Sequence, residues 1–379
     1  MLELHSNFEK AESWLLNSGI VISNSSDKNF GSVHSFYDER KNEFSFIYPE
    51  ITGYFLSTLR FLYDIEKNND YLNSSKQTSD WLIKLNQDNG GIIQGIYNSK
   101  IQTLSYSFDT AICAKGLLDC FLISNNQKYF EFAKNLIFQI EDFLEPDGTI
   151  KPLKNLSTNN FEENNKVWYK QKGCLHIKNC IPFFQMYKIT NDENFLKQGI
   201  LICDTFSKYQ NNDGSIKLHL NNDVINLHTM CYALEGLFYA YYITKNKKYL
   251  QSIKNGLVWV THNIHEDGSV NLWFNTKYHE KAAYPIAQLI RLFILLDKID
   301  VNDFLKYAKK LSSFLFSLQN DSKNICLNGG FYEGFTKTIF GWKKISRINS
   351  WTTMFAIQSI YWLTHYDEYD FDSMIEYVY

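Results

Sequence analysis

Proline is scarce in this chain, five among 379 residues, so few helices are broken by a missing N–H or a fixed φ. Its seven cysteines, at 113, 120, 174, 180, 203, 231 and 326, contain no Cys-x-x-Cys pair, which argues against a zinc ribbon and a disulfide framework. Charge is nearly balanced: 38 Lys plus Arg against 41 Asp plus Glu leave a net −3. No bulk basic field is left to gather nucleic acid or an anionic membrane, so any anion recognition must be local. Long apolar runs are missing too. The stretch 111–123 is interrupted by Lys115 and Asp119 and falls short of the ~18 to 20 apolar residues a membrane helix needs. The N-terminal Met1-Leu2-Glu3-Leu4-His5 stretch is polar and acidic where a cleaved export signal carries positive charge and then an apolar core. A soluble, cytoplasmic protein in a reducing compartment is expected. No G-x-G-x-x-G or G-x-x-x-x-G-K-[ST] loop occurs, so no nucleotide site is expected.

Aromatic residues are abundant at 16%, with 29 Phe, 25 Tyr and 8 Trp, and 45% of residues are hydrophobic, enough for a large core. Gly-bearing turns recur with a period near sixty: Phe30-Gly31-Ser32, Asn89-Gly90-Gly91, Asp147-Gly148-Thr149, Asp213-Gly214-Ser215, Asp267-Gly268-Ser269 and Asn328-Gly329-Gly330. Taking Gly31, Gly91, Gly148, Gly214, Gly268 and Gly330 as markers, the steps run from 54 to 66 residues. Asp-Gly and Asn-Gly supply the positive φ of a tight turn. Between these turns stands a polar cluster followed by an aromatic, as in Asn69-Asp70-Tyr71, Gln127-Lys128-Tyr129, Glu193-Asn194-Phe195, Lys247-Lys248-Tyr249 and Asn302-Asp303-Phe304. Before the turns lie runs with one wet face, such as 79–87 and 308–319. After them come runs apolar nearly all round: 51–65, 111–123, 181–189, 229–243, 284–296 and 352–363.

Six wet-faced helices alternating with six dry ones predict an all-α (α/α)6 toroid over residues 1–379, one domain in which an outer ring wraps an inner ring. An open solenoid of the same unit is the alternative; closure is favoured because six units suffice for a ring and neither end carries a polar cap. In such a toroid the long loops from Gly turn to inner helix gather at one mouth, where helix N-termini also point. The inner-helix starts therefore hold the candidates. Glu50 and Asp109 are two carboxyls suited to acid/base work on a glycosidic bond, with first-turn helix capping as the structural alternative. His176, His228 and Tyr48 are candidate proton carriers. Tyr37, Trp168, Trp273, Tyr284 and Trp351 are candidate sugar platforms, with core packing as the competing reading. Lys178 and Arg347 are candidate cations for an acidic guest, and Glu333 is a reserve carboxylate. Cys174, His176 and Cys180 fit no zinc spacing, so neither metal nor cofactor is expected.

The repeat resembles the six-hairpin glycosidase-like superfamily, which includes unsaturated glucuronyl hydrolases, sugar epimerases and the helical domains of polysaccharide lyases. The likeness covers essentially the whole chain. Tyr48-Pro49-Glu50-Ile51-Thr52-Gly53-Tyr54, followed by Gly90-Gly91-Ile92 and Ser107-Phe108-Asp109-Thr110, resembles bacterial surface-polysaccharide biosynthesis proteins and the C-terminal domain of glucuronyl C5-epimerases. In the unsaturated glucuronyl hydrolases an Asp opening an inner helix acts as acid/base, and the resemblance implies that role for Asp109. Other toroids are disfavoured by absence: no Asp-Asp pair serves a terpene-type cyclase, and no Asp-x-Cys or Cys-His element serves a zinc toroid. The expected function is acid/base chemistry on an acidic or amino sugar of a surface polysaccharide or its precursor, of hydrolase, epimerase or lyase type, with a saccharide as ligand. The alternatives are a non-catalytic glycan-binding or assembly protein, and a helical scaffold whose centre is filled.

Overall fold

A computed structural model describes residues 2–97, 100–101, 103–164, 166–300 and 303–379. Met1 of the N-terminal stretch and Asn302 of the fifth polar cluster lie outside the described residues. In chain order the helices are α1 (Leu2–Asn17), α2 (Pro49–Glu66), α3 (Asn69–Asn89), α4 (Ser107–Ser124), α5 (Gln127–Glu141), α6 (Cys180–Thr190), α7 (Glu193–Asp204), α8 (Phe206–Tyr209), α9 (Leu227–Thr244), α10 (Lys247–Thr261), α11 (Ala283–Ile299), α12 (Leu305–Ser317), α13 (Ser350–Thr364) and α14 (Phe371–Ile375). A 3₁₀ turn, Cys174–Asn179, leads into α6.

The dry runs form the inner ring and the wet-faced runs the outer. Each inner helix packs on the next through α2, α4, α6, α9, α11 and α13, and α13 returns to α2, so the ring closes. Closure also uses α1, which packs on α13 at the other end of the chain. Trp14 of α1 donates its indole N–H to the Cys326 carbonyl at 2.9 Å.

The turn glycines show how neighbouring units are fastened. In the six turns the positive-φ glycines are Gly31, Gly90, Gly148, Gly214, Gly268 and Gly329. Two of the six markers therefore shift by one, from Gly91 to Gly90 and from Gly330 to Gly329, because the first glycine of each pair takes the left-handed position. Gly329 at φ 92° closes the ring: a Cβ there would lie 2.0 Å from the Lys10 carbonyl oxygen on α1. In three of the turns the aspartate accepts from the residue two further on, as Asp213 Oδ1 does from the Ser215 N–H at 3.0 Å.

At the opposite end the links are short for a local reason. Lys67, Asn125, Asn191 and Lys245 end inner helices in the left-handed conformation. Each is followed at once by an N-cap, Asn68, Asn126, Asp192 or Asn246, whose side chain accepts a backbone N–H of the outer helix. Four of the polar clusters of the sequence begin directly after these caps. The mouth loops, by contrast, join across units in small antiparallel sheets. Phe36–Asp38 pairs with Arg347–Asn349, Leu104–Tyr106 with Leu153–Asn155, Ile225–Asn226 with Trp273–Phe274, and Glu280–Ala282 with Gly334–Thr338. The narrow end is filled: Tyr379 is fully buried and its hydroxyl donates to the Met354 carbonyl at 2.9 Å.

Candidate functional site

The mouth opens into a cavity of about 600 Å³ between the inner-helix starts. Its two carboxyls are brought together by a closely packed helix pair. Gly53 on α2 and Gly116 on α4 face one another so tightly that a Cβ on Gly116 would stand 2.5 Å from the Gly53 carbonyl oxygen. The Cys113 thiol meets the Pro49 carbonyl at 3.3 Å along the same seam. Glu50 and Asp109, in the first turns of these two helices, consequently line one cavity wall, at 7% and 4% exposure.

Burial opposes charge on both groups. It raises Glu50 to about 7, against the opposing pull of the Tyr48 hydroxyl bonded to it and of the Lys178 ammonium. Asp109 is raised well above the ordinary carboxylate range, first by burial and then by the negative charge of Glu50. Both shifts favour the neutral carboxyl, and only Glu50 has a cation pulling against them, so Asp109 is the member biased more strongly toward the protonated form. Capping accounts for little here. Asp109 meets only its own backbone N–H, and its Oδ2 is buried without a hydrogen-bond partner among the described residues.

Two imidazoles line the same cavity. His228 Nδ1 lies 2.6 Å from Gln288 Oε1, so Nδ1 carries the hydrogen and donates it. The Gln288 amide is itself oriented, because its Nε2 donates to both oxygens of Glu235 at 3.1 and 3.2 Å. Nε2 is then the nitrogen His228 has left for the cavity. Burial lowers His228 to about 3, with the nearby Lys178 and Arg291 charges adding to the effect. His176 sits in the 3₁₀ turn with Nδ1 against the Gly173 peptide and is lowered by burial to about 4. Both rings are neutral at physiological pH.

No family model matches the chain, and no curated protein matches its sequence. Solved structures do match it along nearly their whole length. The chain is similar to a cellobiose 2-epimerase from Bacillus thermoamylovorans, at TM-score 0.76 and 15% identity over 95% of this chain and 98% of that one. It is similar to a D-mannose isomerase at TM-score 0.78 and 11% identity, covering 97% and 98%. An unsaturated glucuronyl hydrolase specific for heparin gives TM-score 0.73 and 12% identity, again covering 97% and 98%. The fold is the six-hairpin (α/α)6 toroid.

Within this toroid all five candidate proton carriers, Tyr48, Glu50, Asp109, His176 and His228, line the cavity, as do Trp168, Tyr284, Arg347 and Trp351. Four other residues expected at the mouth do not. Lys178 is buried beneath it, its ammonium 2.7 Å from Glu235 Oε2 and 3.2 Å from the Tyr54 hydroxyl, so it serves the core and offers nothing to an acidic guest. Glu333 is held behind Arg347 in a two-point pair, Nε to Oε2 at 2.6 Å and Nη2 to Oε1 at 2.8 Å. Tyr37 is turned inward from a strand, its hydroxyl donating to Asn42 Oδ1 at 2.5 Å. Trp273 backs Trp168 edge-on, ring centres 6.3 Å apart, without reaching the cavity.

Sequence reasoning missed Tyr232 and Gln94 on the cavity wall, and the Glu235–Gln288–Arg291 cluster under it. Arg291 Nη2 donates to Glu235 Oε1 at 2.5 Å and its Nη1 to Gln358 Oε1 at 2.7 Å. A signal for the cluster was present: charged residues inside runs otherwise apolar all round must find partners on neighbouring runs. Among the described residues no three His, Cys, Asp or Glu side chains gather as a metal site, and no helix is long and apolar enough to cross a membrane.

Proposed function

We propose that the chain, acting as one domain in the cytoplasm, is a carbohydrate-active enzyme that cleaves a glycosidic bond by acid/base chemistry in the toroid mouth. The observation that carries this is the pair of carboxyls on one cavity wall whose environments separate their proton affinities. Asp109, protonated, is the acid: its O–H protonates the bridging oxygen as the bond from that oxygen to the sugar carbon breaks. Glu50, ionised, is the base that takes a proton from the water adding to that carbon. Tyr48 holds the Glu50 carboxylate by its hydroxyl. Trp168, Tyr169 and Trp351 supply flat apolar surface against which sugar rings stack. Aromatic walls with few but convergent polar groups are the usual make-up of a small-molecule site.

This pairing favours hydrolysis over epimerisation or elimination at a uronate. Both histidines are poor bases, with proton affinities far below neutrality. The two cations expected for a sugar carboxylate are engaged, Arg347 with Glu333 and Lys178 with Glu235. A neutral or amino sugar fits the cavity charge better than an acidic one. A surface polysaccharide or its precursor remains the substrate source we propose, on the resemblance of the α2 and α4 motifs.

The test is Asp109→Asn in reducing-end assays over a panel of neutral, amino and uronate oligosaccharides. Turnover should drop about 10²- to 10⁴-fold with the dissociation constant for the same saccharide changed little. A glycan that binds wild type tightly but is never turned over identifies a binding or assembly protein instead.

A further inference from the structure

The loop that leads into α13 carries a feature the cavity does not use. Gly334–Thr338 and Gly341–Lys344 form a two-stranded hairpin with Thr338 paired to Gly341, so Ile339 and Phe340 alone make the turn. Gly341, at φ 111°, takes the left-handed place that follows such a turn. Polar residues ordinarily occupy these positions. Here Ile339 is 92% and Phe340 95% exposed, so the described residues leave both almost uncovered. A foldable sequence gains nothing from that placement, and such local violations mark function.

Within the hairpin itself the collar below the tip carries only basic charge, although Lys281 beside it is paired with Asp267 and Glu280 stands on the adjoining strand. Trp342 is exposed, with the Lys281 and Lys337 ammonium groups 5.1 and 5.2 Å from its ring. Lys337, Lys343 and Lys344 are exposed, and residues 334–346 include no Asp or Glu. An apolar tip, an aromatic at its base and a ring of lysines reproduce the layers of a membrane interface: acyl chain, headgroup boundary and phosphate. The hairpin also sits at the mouth. Glu333 and Arg347, its two flanking residues, are paired at the cavity rim, and a five-residue strand raises the tip by roughly 17 Å.

We infer that this hairpin is a docking wedge for an anionic lipid surface, with Ile339 and Phe340 entering the bilayer boundary and Lys337, Lys343 and Lys344 meeting lipid phosphates. The charge complementarity is local, as the net −3 of the whole chain requires. Docking in this way turns the cavity mouth toward the lipid, about one strand length away. The inference stands on the hairpin alone and does not depend on which reaction the cavity performs.

The experiment is co-sedimentation of the full chain with phosphatidylcholine vesicles and with vesicles of phosphatidylcholine mixed with phosphatidylglycerol. Binding is expected to the mixed vesicles only and to weaken with added salt. Lys343→Gln with Lys344→Gln should weaken it by about fivefold per lysine. Ile339→Ser with Phe340→Ser should abolish it while leaving the thermal melt and any saccharide turnover unchanged, since these side chains are almost fully exposed and lie outside the cavity. Absence of binding to the mixed vesicles overturns the proposal. So does binding that the tip variant retains, or equal binding to neutral vesicles. Tip-dependent self-association in light scattering without vesicle binding assigns the wedge to a second copy of the chain and likewise overturns it.

Discussion

Replacing Glu50 by Gln tests the electrostatics of the cavity through stability. In the unfolded chain a glutamate loses its proton near 4.5; in the fold, burial holds the proton until about 7. Between these values the unfolded state releases a proton that the folded state keeps. Stability is therefore lost as pH rises from about 4.5, and the loss is complete above about 7. At about 1.36 kcal/mol per tenfold change in proton affinity, the full penalty is about 3 kcal/mol. Gln keeps the shape and the Tyr48 hydrogen bond but cannot ionise. With an unfolding entropy of about 2.1 cal/mol/K per residue over 379 residues, 3 kcal/mol corresponds to a Tm about 4 °C higher for the variant. Calorimetric melts of both proteins should coincide near pH 4.5 and separate steadily to about pH 8. Coincident melts at pH 8, or a gap independent of pH, would refute the argument, because Glu50 would then be solvated or fully neutralised in the fold.

Turnover should follow the same pair: kcat/KM rises with pH as Glu50 ionises, with a midpoint near 7, and falls at higher pH as Asp109 loses its proton; a profile flat from about pH 5 to about 9 would sink the carboxyl assignment. Tyr48→Phe removes the hydroxyl that holds Glu50 down, so the acidic limb of that profile should move to higher pH, and a shift the other way would show that Tyr48 does not bond the carboxylate. Glu235→Gln leaves Lys178 and Arg291 buried without their carboxylate and should cost about 3 to 5 kcal/mol in urea unfolding, whereas a loss under 1 kcal/mol would mean that water reaches them. Gly329→Ala puts a methyl against the Lys10 carbonyl at a left-handed φ and should cost about 1 to 3 kcal/mol by the same assay, with an unchanged midpoint contradicting ring closure at that contact.

The sequence by itself determined the ring, because every signal for it is short in range. An Asp-Gly or Asn-Gly turn, an N-cap such as Asn126 or Asn246, and a run apolar on all sides each act within a few residues, and six copies leave little choice of architecture. The same local logic placed Glu50, Asp109 and His228 at inner-helix starts and hence at the mouth. The tertiary structure alone decided which polar residues face the cavity. Lys178 and Arg347 read alike as cations near helix starts, yet one is matched by Glu235 on a helix 57 residues away and the other by Glu333 across a hairpin. The close approach of Gly236 to the Lys178 backbone sets the first of those pairs, and the Gly53–Gly116 seam brings Glu50 and Asp109 to one cavity. The proton affinities follow from that enclosure, since desolvation depends on everything packed around a group and not on its neighbours in the chain.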